Sequence, residues 1–385
     1  MKSDIGSFYS HLLSYSQENQ KTYGFISGEW ADYTQWRAQA KAKVHECLGY
    51  YPKPLPLDVN TYGQTPCNGY IREDISFVGG TGKRLSGCVL MPERRPRNKR
   101  FPAVIALHDH GAFYYFGMEK VMDAEPDEPL CLTEFRRVAY SGRGYASELA
   151  RRGYLVLVID GYFFGSQRLK PEMLSPEVLK SLGDPFIGLK EGSDAYIRAF
   201  NQACREFEAL LVKHIFFAGT TWPGILLYDD RRSMDYLLSR DDVDAAHIGC
   251  VGLSIGGFRA AFLAGLDERV HASVVAGWLP NAESLLFNRL INHTYMVYVP
   301  LLTRYMDIPD VVSLAAPNAL MVQQCANDHL FDLEGMKKAN EHIADVYRKV
   351  GYPDRFRGLF YDNDHEFNMR MQEDAFAWLD AHLKE

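Results

Sequence analysis

The stretch Cys250-Val251-Gly252-Leu253-Ser254-Ile255-Gly256-Gly257 places a serine between glycines in the pattern G-x-S-x-G. An apolar run at residues 248–253 leads into the serine, and a run with helical character at residues 258–266 follows it. A strand, a serine and a helix in this order are typical of a nucleophile elbow, a sharp turn that exposes the serine hydroxyl above a sheet. The motif alone is a weak indication, because serine and glycine are common and a plain turn would fit it too. The partners of the serine therefore have to be found elsewhere in the chain.

Length and composition are those of an ordinary globular chain. Its 385 residues exceed one average domain, although α/β folds of this size often have one core with insertions. We expect a catalytic domain at residues 61–385 and a helical extension at residues 1–60 that packs on it. Charged residues make up 24% of the chain and the net charge is -7, with one short basic turn at residues 94–100. Nucleic acid is therefore not an expected partner.

The cysteines and the N-terminus indicate the cellular environment. Seven cysteines are scattered along the chain without a C-x-x-C pair, which favours a reducing compartment and argues against a disulfide framework or a zinc ribbon. The first six residues lack the apolar core of a signal peptide, and no uncharged apolar run reaches the roughly 18 residues of a membrane span. We expect a cytoplasmic protein without a membrane contact. A signal peptide removed beforehand would leave the same sequence.

The first 50 residues predict helices that dock on the core through aromatic side chains. Trp30, Tyr33 and Trp36 precede a helix-forming run at residues 37–48, and packing or a homodimer contact would account for them. A proline-rich link at residues 51–56 follows.

The remainder of the chain alternates between strand and helix patterns. A hairpin is predicted at residues 71–91, with its turn at 79–82. Apolar runs then predict strands, which are residues 101–107, 154–159, 248–253, 272–276, 319–325 and 356–361. Helical patterns lie between them, at residues 145–152, 225–238, 258–266, 333–350 and 366–383. This alternation predicts an α/β fold with a mostly parallel central sheet flanked by helices.

Two connections are too long for ordinary loops. They are residues 161–224, with a helix predicted at 195–213, and residues 278–314. We interpret both as insertions over the active-site end of the sheet. Residues 112–141 are predicted as a long loop after the first buried strand.

Candidate partners for Ser254 lie downstream, each just after a predicted strand. A serine hydroxyl is a poor nucleophile near neutral pH and needs a base that a third group orients. His365 follows the last strand and is the candidate base, while Asp328 follows the strand before it and is the candidate acid. The order Ser254, Asp328, His365 is that of a hydrolase triad. The rival acids are Asp332, Asp362 and Asp364.

The negative charge of a tetrahedral intermediate needs two preorganised hydrogen-bond donors. One is expected to be the backbone N–H of Ile255, the residue after the nucleophile. The other is expected from the loop at His110-Gly111-Ala112, where we assign Ala112 with Phe113 as the neighbouring alternative.

Other candidate residues have two interpretations each. His108, Asp109 and His110, with His329 and Asp328 from elsewhere in the chain, could form a metal site, but a triad accounts for the chemistry without one, so no metal is expected. Arg259 would form a structural ion pair or bind an anionic substrate group. The candidate substrate-binding residues lie just beyond strand ends and would line a pocket or pack within a lid; they are His110, Phe113, Tyr114, Tyr162 and Trp278.

Three segments carry a family resemblance, namely residues 105–111, 229–237 and 252–257, completed by Asp328 and His365. The chain resembles the α/β-hydrolase superfamily and, within it, the branch of bacterial proteins similar to dienelactone hydrolase and acetylxylan esterase. The resemblance covers residues 70–385 and implies a serine esterase that forms an acyl-enzyme, hydrolyses it with water and uses no cofactor. A short acylated oligosaccharide or another small ester is the substrate it implies.

Two departures from this branch limit what can be transferred. Dienelactone hydrolases use a cysteine nucleophile where this chain has Ser254, so lactone hydrolysis is not implied. Many xylan esterases are secreted, whereas this sequence shows no signal peptide. Two alternatives stay open: a hydrolase that cleaves an amide or C–C bond with the same triad, and a catalytically silent binding protein with a hydrolase fold.

Overall fold

The computed structural model describes residues 3–28, 30–94 and 100–384, so most of the predicted basic turn at 94–100 lies outside the described residues. One nine-stranded sheet runs through the molecule in the order β1-β2-β3-β5-β4-β6-β7-β8-β9. The strands are β1 Asn60–Pro66, β2 Tyr70–Val78, β3 Arg84–Pro92, β4 Phe101–Leu107, β5 Leu155–Ile159, β6 Val243–Leu253, β7 Ala272–Ala276, β8 Ala319–Cys325 and β9 Phe356–Tyr361. From β5 to β9 every neighbouring pair is parallel, and β1, β2 and β3 extend the sheet as antiparallel strands.

The helices cover both faces of the sheet. Those outside the insertions are α1 Phe8–Gln17, α2 Tyr33–Leu48, α3 Leu130–Tyr140, α4 Tyr145–Arg151, α7 Trp222–Leu238, α8 Ile255–Leu266, α12 Leu333–Lys349 and α13 Met369–Leu383. The first insertion contains α5 Pro176–Ser181 and α6 Asp194–Phe217, and the second contains α9 Ala282–Asn288, α10 Leu302–Tyr305 and α11 Ile308–Ser313. This arrangement confirms the predicted fold class.

The central strands are buried on both faces because helices cover both sides of the sheet. Successive side chains of a strand point to opposite faces and therefore enter different cores. Along β4, Ile105 belongs to the core under α7, α8 and α12, whereas Val104 and Ala106 belong to the core under α4 and α13. A continuous apolar run is therefore the sequence pattern of such a strand.

The N-terminal extension is attached unevenly. Helix α2 buries Trp36, Ala40, Val44 and Leu48, spaced by four residues, in the same core as the sheet. Helix α1 has no buried residue, and the predicted domain boundary at residues 60/61 falls at the start of β1.

Two elements outside the insertions were not predicted, and β6 begins at Val243 instead of at residue 248. The predicted loop at 112–141 contains α3, an amphipathic helix of 11 residues whose short pattern was hidden among acidic and aromatic residues. Strand β1 was not predicted because it has no apolar alternation. All seven of its residues are exposed, and only its antiparallel pairing with β2 makes it a strand.

Two observations concern the expected environment. The seven cysteines are all free. Among the described residues no single helix is long and apolar enough to cross a membrane; α6 and α7 meet the length and composition test only when taken together, and they are bent by 81°.

Candidate active site

Ser254 lies at the junction of β6 and α8 in a strained backbone conformation, with φ 59° and ψ -119°. The glycines on either side of Ser254 are required because a side chain at either position would clash with the backbone. A Cβ on Gly252 would lie 2.4 Å from the carbonyl carbon of Gly256, and a Cβ on Gly256 would lie 2.2 Å from the backbone oxygen of Leu107. The elbow thus packs against the end of β4 with no space for a side chain, and the strain is stored where the hydroxyl has to be presented.

His365 and Asp328 are hydrogen-bonded to each other. The Nδ1 of His365 lies 2.6 Å from Oδ2 of Asp328, whose side chain is fully buried. The other carboxylate oxygen of Asp328 accepts the backbone N–H of Leu330 at 2.9 Å. Both carboxylate oxygens are therefore held, and the carboxylate fixes the imidazole with Nδ1 protonated and Nε2 free to act as a base.

The histidine ring and the serine both lie against the end of β7. The backbone N–H of Ser254 donates to the oxygen of Ala276 at 2.9 Å. The next residue, Gly277, has φ 57°, and a Cβ built on it would lie 3.3 Å from Cε1 of His365. Glycine at this position therefore lets the imidazole approach the strand end that carries the serine.

The rival acids have other partners. Asp332 caps α12 through the N–H of Gly335, the exposed Asp362 accepts from the side chain of Asn327, and Asp364 is exposed. Only Asp328 among these four carboxylates bonds to His365 within the described part of the chain.

The two assigned oxyanion donors differ in their surroundings. The N–H of Ile255 belongs to the first turn of α8, where backbone donors have no acceptor within the helix. The N–H of Ala112 donates to Nδ1 of His110 at 2.9 Å, and that of Phe113 to the oxygen of His110 at 3.0 Å. An oxyanion would have to compete with these acceptors, so the assignment of Ala112 stays a prediction.

A buried carboxylate, Glu208 of α6, joins this loop to both insertions. Its Oε1 accepts from Nε2 of His110 at 3.0 Å and from the hydroxyl of Tyr114 at 2.8 Å, and the hydroxyl of Thr294 lies 2.9 Å from both carboxylate oxygens. Burial acts to raise the pKa of Glu208, but the hydrogen bonds from its three partners outweigh it, and the net pKa is lowered. Since Nε2 of His110 donates, its Nδ1 is the acceptor that holds Ala112.

A buried lysine supports the same loop from behind. The ammonium of Lys120 donates to the backbone oxygens of Asp109 and His110 at 2.9 and 3.0 Å and lies 4.7 Å from the ring centre of Phe164. Burial lowers the pKa of Lys120 to about 8. The hydroxyl of Tyr140 donates to Oδ1 of Asp109 at 2.6 Å. These contacts fix the path of the loop between β4 and the serine.

Arg259 has the structural role. Its guanidinium forms a bidentate ion pair with Asp230 of α7 at 3.0 and 2.6 Å, and both side chains are buried. The adjacent Asp229 accepts the N–H of Gly80 at 3.3 Å, and burial raises its pKa to about 7. The pair joins α7 to α8 directly beneath the elbow.

The aromatic residues predicted to bind substrate lie in different parts of the fold. Phe113 lines a cavity of about 460 Å³ between the loop, α3 and α6, and Tyr114 is buried on Glu208. Tyr162 packs on Trp222 with the ammonium of Lys83 4.5 Å from its ring centre, so its contacts lie away from the triad. Trp278 follows Gly277 and lines a second cavity, described below.

Two of the histidines considered as metal ligands, His108 and His110, have protein partners. Nε2 of His108 accepts the N–H of Gly161 at 2.9 Å, and its Nδ1 lies 2.9 Å from the oxygen of Asp109. Within residues 3–28, 30–94 and 100–384, no group of three or more histidine, cysteine or carboxylate side chains is placed to hold a metal ion.

Glu208 and His293 were not among the predicted site residues. The signal for Glu208 was present in the sequence, since it interrupts the apolar stripe Ile197, Phe200, Cys204, Val212 and Ile215 at helical spacing. A charged residue within such a stripe indicates a buried partner. No local pattern marks His293, which the second insertion places 3.1 Å from the backbone oxygen of Leu330, the residue whose N–H holds Asp328.

Comparison with known proteins agrees with this geometry. No protein-family model matches the chain. The Bacillus subtilis (strain 168) protein YtaP, provisionally named a hydrolase, is 23% identical over 348 residues, which are 90% of this chain and 100% of that protein. A provisionally named acetyl xylan esterase of Bacteroides fragilis has a similar structure, with a TM-score of 0.67 at 15% identity over 94% of this chain and 85% of that chain. A glucuronoyl esterase of Solibacter usitatus has a TM-score of 0.61 at 13% identity over 94% and 97%.

Identities this low carry the fold and no more. The parallel sheet, the serine after β6 and the acid and histidine after β8 and β9 have the order expected of a hydrolase fold. The chain therefore has the α/β-hydrolase fold.

Proposed function

We propose that this protein is a serine-dependent carboxylic ester hydrolase that acts through an acyl-enzyme intermediate. The observation that carries the proposal is the 2.6 Å hydrogen bond between His365 and the buried Asp328, at adjoining strand ends next to the strained Ser254. A nucleophile, a base and an orienting acid are thereby held by rigid elements of one sheet edge.

In the first half-reaction the Ser254 hydroxyl attacks the ester carbonyl while Nε2 of His365 takes its proton. The carbonyl oxygen becomes an oxyanion, which the N–H of Ile255 would stabilise together with a donor from the loop after β4. The intermediate collapses, the C–O bond to the alcohol breaks, and His365 returns the proton to the departing oxygen. Water then repeats the sequence on the acyl-enzyme and releases the acid and the free serine.

A small ester or a short acylated oligosaccharide is the substrate class we propose. The support comes from the names of the structural neighbours, which are acetyl xylan and glucuronoyl esterases. The seven free cysteines support action in a reducing compartment such as the cytoplasm. We also propose that the protein forms a homodimer, which analytical ultracentrifugation would test.

The alternatives have separate tests. Cleavage of an amide or C–C bond would use the same triad, and a silent binding protein would leave the serine unreactive. Reaction of Ser254 with a fluorophosphonate probe in the absence of ester turnover would favour the amide or C–C alternative. A lack of labelling would favour the silent protein.

The deciding experiment compares Ser254→Ala with wild type on p-nitrophenyl acetate. We expect the variant to lose about 10⁶-fold in kcat and all probe labelling. Ser239→Ala is the control, because that serine lies at the end of α7 and donates only to the oxygen of Tyr236. Wild-type turnover by Ser254→Ala would overturn the proposal.

A further inference from the structure

A cavity of about 670 Å³ lies between α1 and the second insertion. Most of the side chains around it are apolar, including Leu12 and Leu13 of α1 and Leu285, Leu290, Val299 and Ile308 of the insertion. The others are polar, such as Ser16 and Arg304. The volume is within the range of pockets that enclose small organic ligands, and the lining favours an apolar one.

Two walls of this cavity adjoin residues that contact the proposed triad. Trp278, one of its walls, follows Gly277, which packs against the ring of His365. His293, another wall, donates from Nε2 to the backbone oxygen of Leu330 at 3.1 Å. The N–H of Leu330 in turn holds the carboxylate of Asp328. The walls Trp278 and His293 are thus joined to His365 and Asp328 through Gly277 and Leu330.

Helix α1 is placed as an outer wall and contributes little to the core. It has no buried residue, and its Leu12 is 42% exposed although it faces the cavity. The chain after α1 is fixed by an ion pair between Lys21 and Asp307 at 2.9 Å and by the N–H of Tyr23 on the oxygen of Tyr305. The connection that follows α1 therefore holds this helix over an apolar cavity. Such an arrangement is expected if the cavity binds a ligand.

The position of the cavity relative to His365 indicates which part of the ester would enter it. His365 returns its proton to the departing alcohol oxygen, so the alcohol group lies on the histidine side of Ser254. Trp278 and His293 line the cavity next to the residues that contact His365 and Asp328, whereas Ala112 lines the other cavity, between its loop, α3 and α6. We propose that the cavity between α1 and the second insertion binds an apolar alcohol group of the substrate ester. This inference rests on the proposed esterase function.

The test measures kcat/KM for ethyl, butyl and hexyl acetate, with p-nitrophenyl acetate, butyrate and hexanoate as the acyl series. Each methylene that enters the cavity is expected to raise kcat/KM by about fourfold in the alcohol series. Leu13→Trp fills the cavity from α1 and should reduce the hexyl-to-ethyl ratio to about one. Leu290→Trp narrows it from the insertion and should do the same if the first variant does not fold.

Phe8→Trp is the matched control, since Phe8 is 72% exposed on α1 and does not line the cavity. It should keep the wild-type ratio. A flat alcohol series in wild type, a rise confined to the acyl series, or a wild-type ratio in a folded Leu13→Trp protein would overturn the assignment of the cavity while leaving the esterase proposal intact. A wild-type protein that turns over none of these esters would overturn the esterase proposal itself, and this inference with it.

Discussion

Replacing Asp328 by asparagine tests how the triad works without changing its shape. The side chain is fully buried, with one oxygen on His365 and the other on the N–H of Leu330. Asparagine can keep its carbonyl oxygen on Leu330 and must then direct its NH₂ group at Nδ1 of the imidazole. That nitrogen becomes an acceptor, so the proton moves to Nε2, and His365 can no longer accept the proton of Ser254.

The expected cost follows from this tautomer. In a serine hydrolase triad the substitution lowers kcat by about 10⁴-fold, which corresponds to about 5.5 kcal/mol on the activation barrier. The 2.6 Å contact and the full burial of the carboxylate place Asp328 in the same situation. The thermal midpoint should change little, because asparagine has the same size and retains the bond to Leu330.

The assay is kcat for p-nitrophenyl acetate together with the rate of fluorophosphonate labelling. Asp364→Asn is the control, because Asp364 is exposed and directly precedes His365 in the chain. It should keep wild-type kcat. If Asp328→Asn lost less than tenfold while Asp364→Asn lost more than 10³-fold, the orienting acid would be misassigned.

Two further predictions concern buried carboxylates around the site. Glu208→Ala leaves the buried hydroxyl of Tyr114 and the half-buried donors of His110 and Thr294 without their acceptor, so it should lower the free energy of unfolding by about 2 kcal/mol in urea denaturation, with a loss of kcat/KM as the Ala112 loop shifts. The control Glu206→Ala on the same helix should do neither, and equal stability of the two variants would refute the network. Asp229 has a pKa raised to about 7, so the folded protein binds more protons than the unfolded chain between pH 4 and pH 7, and stability falls as the pH rises through this window. Asp229→Asn should therefore be more stable than wild type at pH 8, by at most roughly 4 kcal/mol, and the difference should shrink towards pH 5; a difference in thermal midpoint that does not vary with pH would contradict this account.

Much of the fold was predictable because its elements have strong local patterns. Strands β4, β5, β7 and β8 and the second half of β6 are buried and mostly apolar runs, and the elbow carries glycines that contact distance requires at 252 and 256. Strand β1 and helix α3 were missed for the opposite reason. The first is polar and fully exposed, and the second is short.

Some residues of the candidate site could likewise be predicted from the sequence, and others could not. Ser254, Asp328 and His365 could be named from their order after strands, and the structure brings the last two within 2.6 Å. The sequence could not distinguish the aromatic candidates that line a pocket from those that pack elsewhere. Tyr114 and Tyr162 both follow strands, but the first contacts Glu208 and the second Trp222. Their partners come from α6 and α7, roughly 60 to 95 residues further along the chain.

The sequence by itself determined the sheet, the nucleophile and the order of its partners, because these depend on local periodicity and on side chains that directly follow strands. The tertiary structure decided which acid bonds to His365, how Glu208 holds the loop after β4, and that α1 closes an apolar cavity beside the triad. Such features depend on contacts between segments far apart in the chain, and the geometry of the whole fold sets those contacts.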